Sequence, residues 1–177
     1  AWQREGVDDA ARAALRERVD VKLFTPGIPA GRNLRITPLP ERMNDLQVAD
    51  RTEAARVSAL GLASMLEYGA SRKDRLAALT QAIETYGEVE QQRLTLNGLI
   101  AFIADQDPRL ISAIGALKPR VLEAVANDLS GLRINAKKLF AEDAEPLDIE
   151  MLLGLGSHAS PGKTRLSILY LGGLGEG

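Results

Sequence analysis

Apolar residues recur at helical spacing through the middle of the chain and alternate in the manner of a strand only toward its two ends. Residues 8–18 are alanine-rich, with acids first and arginines last, the polarity a helix dipole favours, and they predict a short surface helix. In residues 19–25 (VDVKLFT), Val19, Val21 and Leu23 alternate with Asp20, Lys22 and Phe24 ahead of Pro26-Gly27, so a strand ending in a turn is predicted. Residues 34–37 form a second short extended piece, bounded by Pro38 and Pro40, which confine it to an edge or an end of a sheet.

Helix is predicted between these ends. Residues 52–68 include VSALGLASML, apolar on nearly every side, and predict a central helix whose Gly61, Ala63 and Ser64 let a neighbour approach closely. Ser71 is a candidate N-cap for a helix with the stripe Leu76, Leu79, Ile83 and Tyr86, ended by Gly87. Residues 94–105 place Leu96, Leu99, Ile100 and Ile103 on one face. Asp107-Pro108 starts a short helix in cap-then-proline order, with Leu110, Ile111 and Ile114. Lys118-Pro119 starts another, with Leu122, Val125, Leu129 and Leu132 as its inner face. Residues 137–141 run into the acidic loop AEDAEP, and residues 147–153 predict a last short helix before GLGSHASPGK. In residues 164–171 Leu166, Ile168 and Tyr170 alternate with Ser167, Leu169 and Leu171, an aliphatic run that predicts a buried strand. A buried parallel strand needs neighbours, so residues 19–25 and 164–171 are expected in one small or incomplete sheet, with the helices bundled on one side. No fixed-period repeat is visible across the helices.

Composition removes several alternatives. Aromatics at 4% beside abundant Ala and Leu favour packed helices over a β-sandwich, and 45% hydrophobic with 26% charged residues excludes a disordered chain. A length of 177 residues suits one core. The net charge of -2 supplies no general attraction to nucleic acid or to an acidic membrane. The absence of cysteine excludes disulfides and thiolate metal sites. No apolar run reaches the roughly 18 residues of a membrane span, and the first nineteen residues are charged throughout, so a cytoplasmic protein without membrane contact is expected.

Candidate chemistry is sparse. Gly162-Lys163-Thr164 ends like a phosphate-binding loop, G-x-x-x-x-G-K-[ST], but Ser157 stands where the first glycine belongs, and a strand follows where the loop requires a helix. Gly172-Gly173-Leu174-Gly175 follows a strand yet does not spell G-x-G-x-x-G. His158 is the only histidine and without cysteines needs carboxylates to make a zinc site; a loop histidine is the plainer reading. Glu142, Asp143 and Glu145 lack the spacing of a calcium loop and read as a solvated acidic turn. No serine sits in a G-x-S-x-G elbow. Lys118, Arg120, Arg133, Lys137 and Lys138 form a mildly basic stretch able to touch a phosphate backbone, with Arg133, Lys137 and Lys138 the candidate DNA contacts. Glu123 and Asp128 interrupt it and no aromatics interleave, which leaves an ordinary helix surface as the other reading. No catalytic, cofactor-binding or metal-binding residue is assigned.

Two segments carry a family resemblance. VDVKLFTPGIPAGRNLRITPLP resembles the strand, Pro-Gly turn and Pro-Leu-Pro exit of HerA-type P-loop ATPases, of the HerA/FtsK superfamily of DNA translocases, some distance after their ATP-binding motif. LDIEMLLGLG with GKTRLSILYLGGLG is similar to the segment of bacterial members that returns to the central sheet before the acidic metal-binding strand. The resemblance covers about 50 residues, in the right order, and implies an internal segment without Walker A or Walker B motifs. It implies a mainly α fold with a small β component: a helical bundle flanked by short strands of an incomplete α/β (RecA-like) sheet. Residues 1–40 and 142–177 would then be fragments of the α/β ATPase core and residues 41–141 its helical insertion domain. ATP and Mg belong, on this resemblance, to the parent and not to this segment. The implied partners are other subunits of a ring-forming ATPase, a nuclease and the DNA backbone. The competing expectation is a freestanding helical interaction or regulatory domain with no nucleotide or DNA role; an enzyme using the acidic loop is a third.

Overall fold

A computed structural model of the chain describes residues 8–28, 31–40, 42–91, 93–141 and 143–172. The protein is mainly α with a small β component, and it divides into two compact units. One consists of residues 37–137; the other joins residues 1–36 to residues 138–177.

In the first unit five helices build the core: α2 (Val48–Met65), α3 (Lys73–Val89), α4 (Leu96–Ala104), α5 (Pro108–Ile114) and α6 (Pro119–Asn135). The central one is α3, which packs against α2, α4, α5 and α6. Its buried face is Ala78, Leu79, Ala82, Ile83, Thr85, Tyr86 and Gly87. Leu99 and Ile103 of α4, Leu110 of α5 and Leu122, Val125 and Leu129 of α6 complete the interior, each fully buried and each contributing about 1.5–3 kcal/mol on transfer from water. Leu132, expected on this inner face, is only half-buried.

The expectation of a central helix at residues 52–68 is corrected. Helix α2 starts earlier, at Val48, and packs on α3 through Ala55, Ala59, Leu62 and Ala63, while Val57 and Leu60 remain exposed. A helix that is apolar on both sides offers two candidate faces, and periodicity does not say which one finds a neighbour. Ser71 is not a cap either. It lies in a 3-10 turn, Ala70–Arg72, and Arg72 precedes α3 without a capping side-chain bond. Nor does Gly87 end its helix, which continues to Val89; it is small because Met43 lies on it, and a Cβ there would come within 2.7 Å of the Met43 Cβ. The remaining start signals hold. Asp107 caps α5 ahead of Pro108 and Pro119 opens α6; at the start of α4, where no cap was expected, Thr95 Oγ1 accepts from the Gly98 N–H (3.0 Å).

The second unit starts with α1 (Asp9–Arg18), capped by the Asp8 carboxylate and burying no residue. It leads into β1 (Val19–Phe24), which pairs in parallel with β4 (Thr164–Leu169), Val19 opposite Thr164 through Phe24 opposite Leu169. The Tyr170 N–H extends the ladder to the Phe24 carbonyl (2.9 Å). A two-residue parallel bridge joins β2 (Leu34–Arg35) to β3 (Glu145–Pro146). Helix α7 (Ile149–Leu153), capped by Asp148, ends at Gly154 in the left-handed conformation (φ 66°), which suits glycine. Phe24, Leu34 and Met151 form a small core with Leu152 beside it. The expected pairing of the two end strands is observed. The expected burial of residues 164–171 is not: among the described residues the sheet has two strands, and Leu166, Ile168, Tyr170 and Leu171 stay about half exposed.

Candidate functional site

The parallel pair β1–β4 has two chemically opposite faces, because side chains alternate along each strand and register sets equivalent positions side by side. Asp20, Lys22 and Phe24 share one face with Arg165, Ser167 and Leu169; Val21 and Leu23 share the other with Leu166 and Ile168. Arg165 is the hub of the polar face. Its guanidinium lies 3.0 Å from the Asp20 carboxylate and donates to the carbonyls of Met151 (2.7 Å) and His158 (2.6 Å), so it ties α7 and the following loop to the strands. Ser160 Oγ donates to Asp20 Oδ2 (2.7 Å), and Ser167 Oγ donates to the Leu152 carbonyl (2.5 Å). The Ser160 hydrogen bond, with Lys22 and Arg165 nearby, holds the Asp20 carboxyl below its ordinary value against the opposing effect of burial. A second knot lies beyond the strand end. Arg32 stacks over the Phe24 ring at 4.7 Å and makes a two-point pair with Glu145 (2.6 and 3.0 Å), which depresses the Glu145 pKa.

Sequence reading missed the Asp20–Arg165 pair. The signal was there: once residues 19–25 and 164–171 are paired in parallel, an acid and a base occupy one register position.

The loop ending Gly162-Lys163-Thr164 is a turn feeding a strand. The Lys163 N–H bonds the Ser160 carbonyl (3.0 Å), its Nζ reaches the Arg16 carbonyl (2.9 Å), and Thr164 opens β4 where a phosphate loop needs a helix. Gly172 is described, but Gly173 to Gly175 lie outside the described residues.

The basic stretch divides. Arg133 is exposed in the last turn of α6 and donates to Asn97 Oδ1 (2.9 Å), with exposed Lys137 opening the 3-10 turn Lys137–Phe140. Lys138 is exposed in the same turn and belongs to the other unit. Lys118 and Arg120 lie at the opposite end of α6, about 20 Å from Arg133 at the rise of an α-helix. Asp128 does not interrupt the surface as expected. It accepts from Arg75 Nη1 (2.5 Å) and the Tyr68 hydroxyl (2.7 Å), a node joining the exit of α2 to α3 and α6.

His158 Nε2 lies 3.7 Å from Asp148 Oδ2. Asp143 is exposed, Glu145 is engaged by Arg32, and Glu142 lies outside the described residues. Among the described residues no group of three or more His, Asp or Glu side chains is placed to hold a metal ion. No helix among them is long and apolar enough to cross a membrane.

Compared with protein-family models, curated proteins and solved structures, the chain finds no match.

Proposed function

We propose that the chain is the helical insertion of a HerA-type, DNA-translocating ATPase, flanked by strands of that enzyme's core sheet, and that it hydrolyses nothing by itself. The observation carrying this reading is the parallel pairing of β1 with β4. Asp20 and Arg165, 145 residues apart in sequence, sit side by side in the ladder, and the whole helical unit lies in the chain between them. Neighbouring parallel strands with a self-contained helical unit between them are what an insertion into a parallel sheet requires. The residues resembling the ATPase family, 19–40 and 147–156 with 162–175, include these two strands.

On this reading ATP and Mg bind residues of the parent outside this segment. The helical unit serves as an accessory layer for contact with other ring subunits, a nuclease partner or the DNA backbone, the last through Arg133 and Lys137, with Lys138 following them in the other unit. The test is calorimetry with millimolar Mg-ATP on the 177-residue chain and on the full native gene product. Binding by the full product alone supports the reading. Binding by the short chain, or by neither, contradicts it.

A second reading, a helical protein-interaction or regulatory domain working without nucleotide or DNA, draws on the exposed outer side of α2. Val57 and Leu60 are apolar there, and nothing lies within 4 Å of where a Gly61 Cβ would be. Absence of nucleotide and DNA binding in the full gene product favours it.

A further inference from the structure

Of the chain's five asparagines, Asn97 alone is followed by glycine. Asparagine deamidates when the next backbone nitrogen attacks its side-chain amide carbon, and glycine, which has no Cβ, lets that nitrogen approach and the backbone turn most freely. Asn97 is exposed at the second residue of α4, where Arg133 of α6 reaches it.

The groups around it match the parts of an acyl transfer. The nucleophile is the Gly98 nitrogen and the electrophile the Asn97 Cγ. Arg133 Nη1 donates to Asn97 Oδ1 (2.9 Å), the oxygen that gains negative charge when the nitrogen attacks. A guanidinium in that place withdraws electrons from Cγ and stabilises the tetrahedral intermediate. One contact opposes the reaction: the Gly98 N–H donates to Thr95 Oγ1 (3.0 Å), which closes the first turn of α4 and holds the nitrogen in helical geometry. Attack needs the Asn97–Gly98 peptide plane to rotate, a local opening of a helix end rather than unfolding. Buried Leu96 and Leu99 anchor the chain on either side.

We infer that Asn97-Gly98 is a self-modification site, at which Asn97 is converted to an acidic residue, with Arg133 promoting the reaction and Thr95 restraining it. Hydroxide takes the Gly98 amide proton, the nitrogen bonds to Cγ, and the Cγ–Nδ2 bond breaks to release ammonia, leaving a cyclic imide. Water then opens the imide. Cleavage of the new bond between Cγ and nitrogen gives aspartate, and cleavage at the main-chain carbonyl gives isoaspartate. Water is the only co-reactant. The aspartate carboxylate faces Arg133 and stands in the first turn of α4, where a helix favours an acid. Isoaspartate adds a methylene to the main chain and breaks the turn that Thr95 caps. The chemistry is independent of the ATPase reading.

The test follows conversion at each asparagine by peptide mass mapping of the 177-residue chain during incubation in mildly alkaline buffer, with isoaspartate separated from aspartate. Asn97 is expected to convert faster than Asn127 and Asn135, which are also exposed, on α6. Thr95→Ala should speed it by about fivefold, the factor by which loss of a cap favours opening of the turn. Arg133→Met should slow it by about three- to tenfold, a fraction of what a water-excluded oxyanion donor supplies, and this difference should vanish in urea. Gly98→Ala would drive its Cβ into the Tyr86 hydroxyl and disturb the fold, so Asn97→Gln, whose longer side chain closes a ring far more slowly, is the blocked variant and should stay unmodified. Conversion at Asn97 no faster than at Asn135 overturns the inference. So does a rate that Arg133→Met leaves unchanged or raises, or a slowing by Arg133→Met that persists equally in urea.

Discussion

The helical unit and the sheet unit bury their side chains in different ways. In the helical unit α3 supplies a continuous apolar face, Leu79, Ile83 and Tyr86 among it, and four neighbouring helices close over it. In the sheet unit the apolar core is Phe24, Leu34 and Met151, and most of the holding is polar: Arg165 on Asp20 and two carbonyls, and Arg32 on Glu145. A helix satisfies its own backbone and needs neighbours only for one stripe. A parallel strand needs partners at both edges and cover on both faces, which two strands do not provide.

Substitutions should reproduce this difference. The largest effect is expected at Leu79 or Ile83, fully buried in α3: truncation to Ala should lower the stability of the helical unit by about 2–5 kcal/mol, read from urea unfolding. Ile168→Ala on the half-exposed face of β4 should cost well under half of that in the 177-residue chain. Equal losses would erase the contrast. Next comes Arg165→Met, which keeps the bulk but leaves the Met151 and His158 carbonyls without their donor; a loss of about 1–3 kcal/mol confined to the sheet unit is expected. Amide exchange of α7 should rise with it.

Tyr68→Phe should cost about 1 kcal/mol in the helical unit, since its hydroxyl bonds Asp128 at the meeting of α2, α3 and α6. Its pH signature separates the units. Burial, followed by the bond to Asp128, raises the Tyr68 pKa above the ordinary value near 10. Its contribution is therefore complete below about pH 10 and is lost as pH rises beyond it. The phenylalanine variant should lose part of that alkaline decline in circular dichroism titrations of the helical signal. Acid does not discriminate in this way, because carboxylates are depressed in both units: Glu145 by Arg32 in one, Asp107 to about 2 by Arg109 in the other. Each contributes stability above its unfolded pKa that is lost as pH falls. The smallest expected effect is a gain: Gly61→Ala in α2 should stabilise by about 0.5–1 kcal/mol, because the new Cβ meets open space. A loss there would mean that something already covers the outer side of α2.

The parts legible in the sequence are those fixed by local physics. Asp107-Pro108 and Lys118-Pro119 specify helix starts through two residues each, and the structure has helices starting there. The alternation in residues 19–25 and 164–171 gave both strands, and the need of a parallel strand for neighbours gave their pairing. What escaped depended on distant partners. Gly87 resembles a helix end until Met43 is seen lying on it, and Asp128 resembles a surface acid until Arg75 and Tyr68 reach it. The inner and outer sides of α2 are too alike in composition for sequence to rank them. Of the basic stretch, the sequence marks Lys118-Pro119 as a helix start, and the structure adds that Arg133 stands in the last turn of that same helix and Lys137 opens the turn after it.

Native-state hydrogen exchange on the 177-residue chain tests most directly whether one unit is complete and the other is not. Amides of α3 and the middle of α6 should exchange only through global unfolding of the helical unit, while those of β1 and β4 exchange by much cheaper local opening. Protection of the Leu166 and Ile168 amides equal to that of Leu79 and Ile83 would contradict the account, because it would mean that two strands with a bare apolar face form a finished sheet.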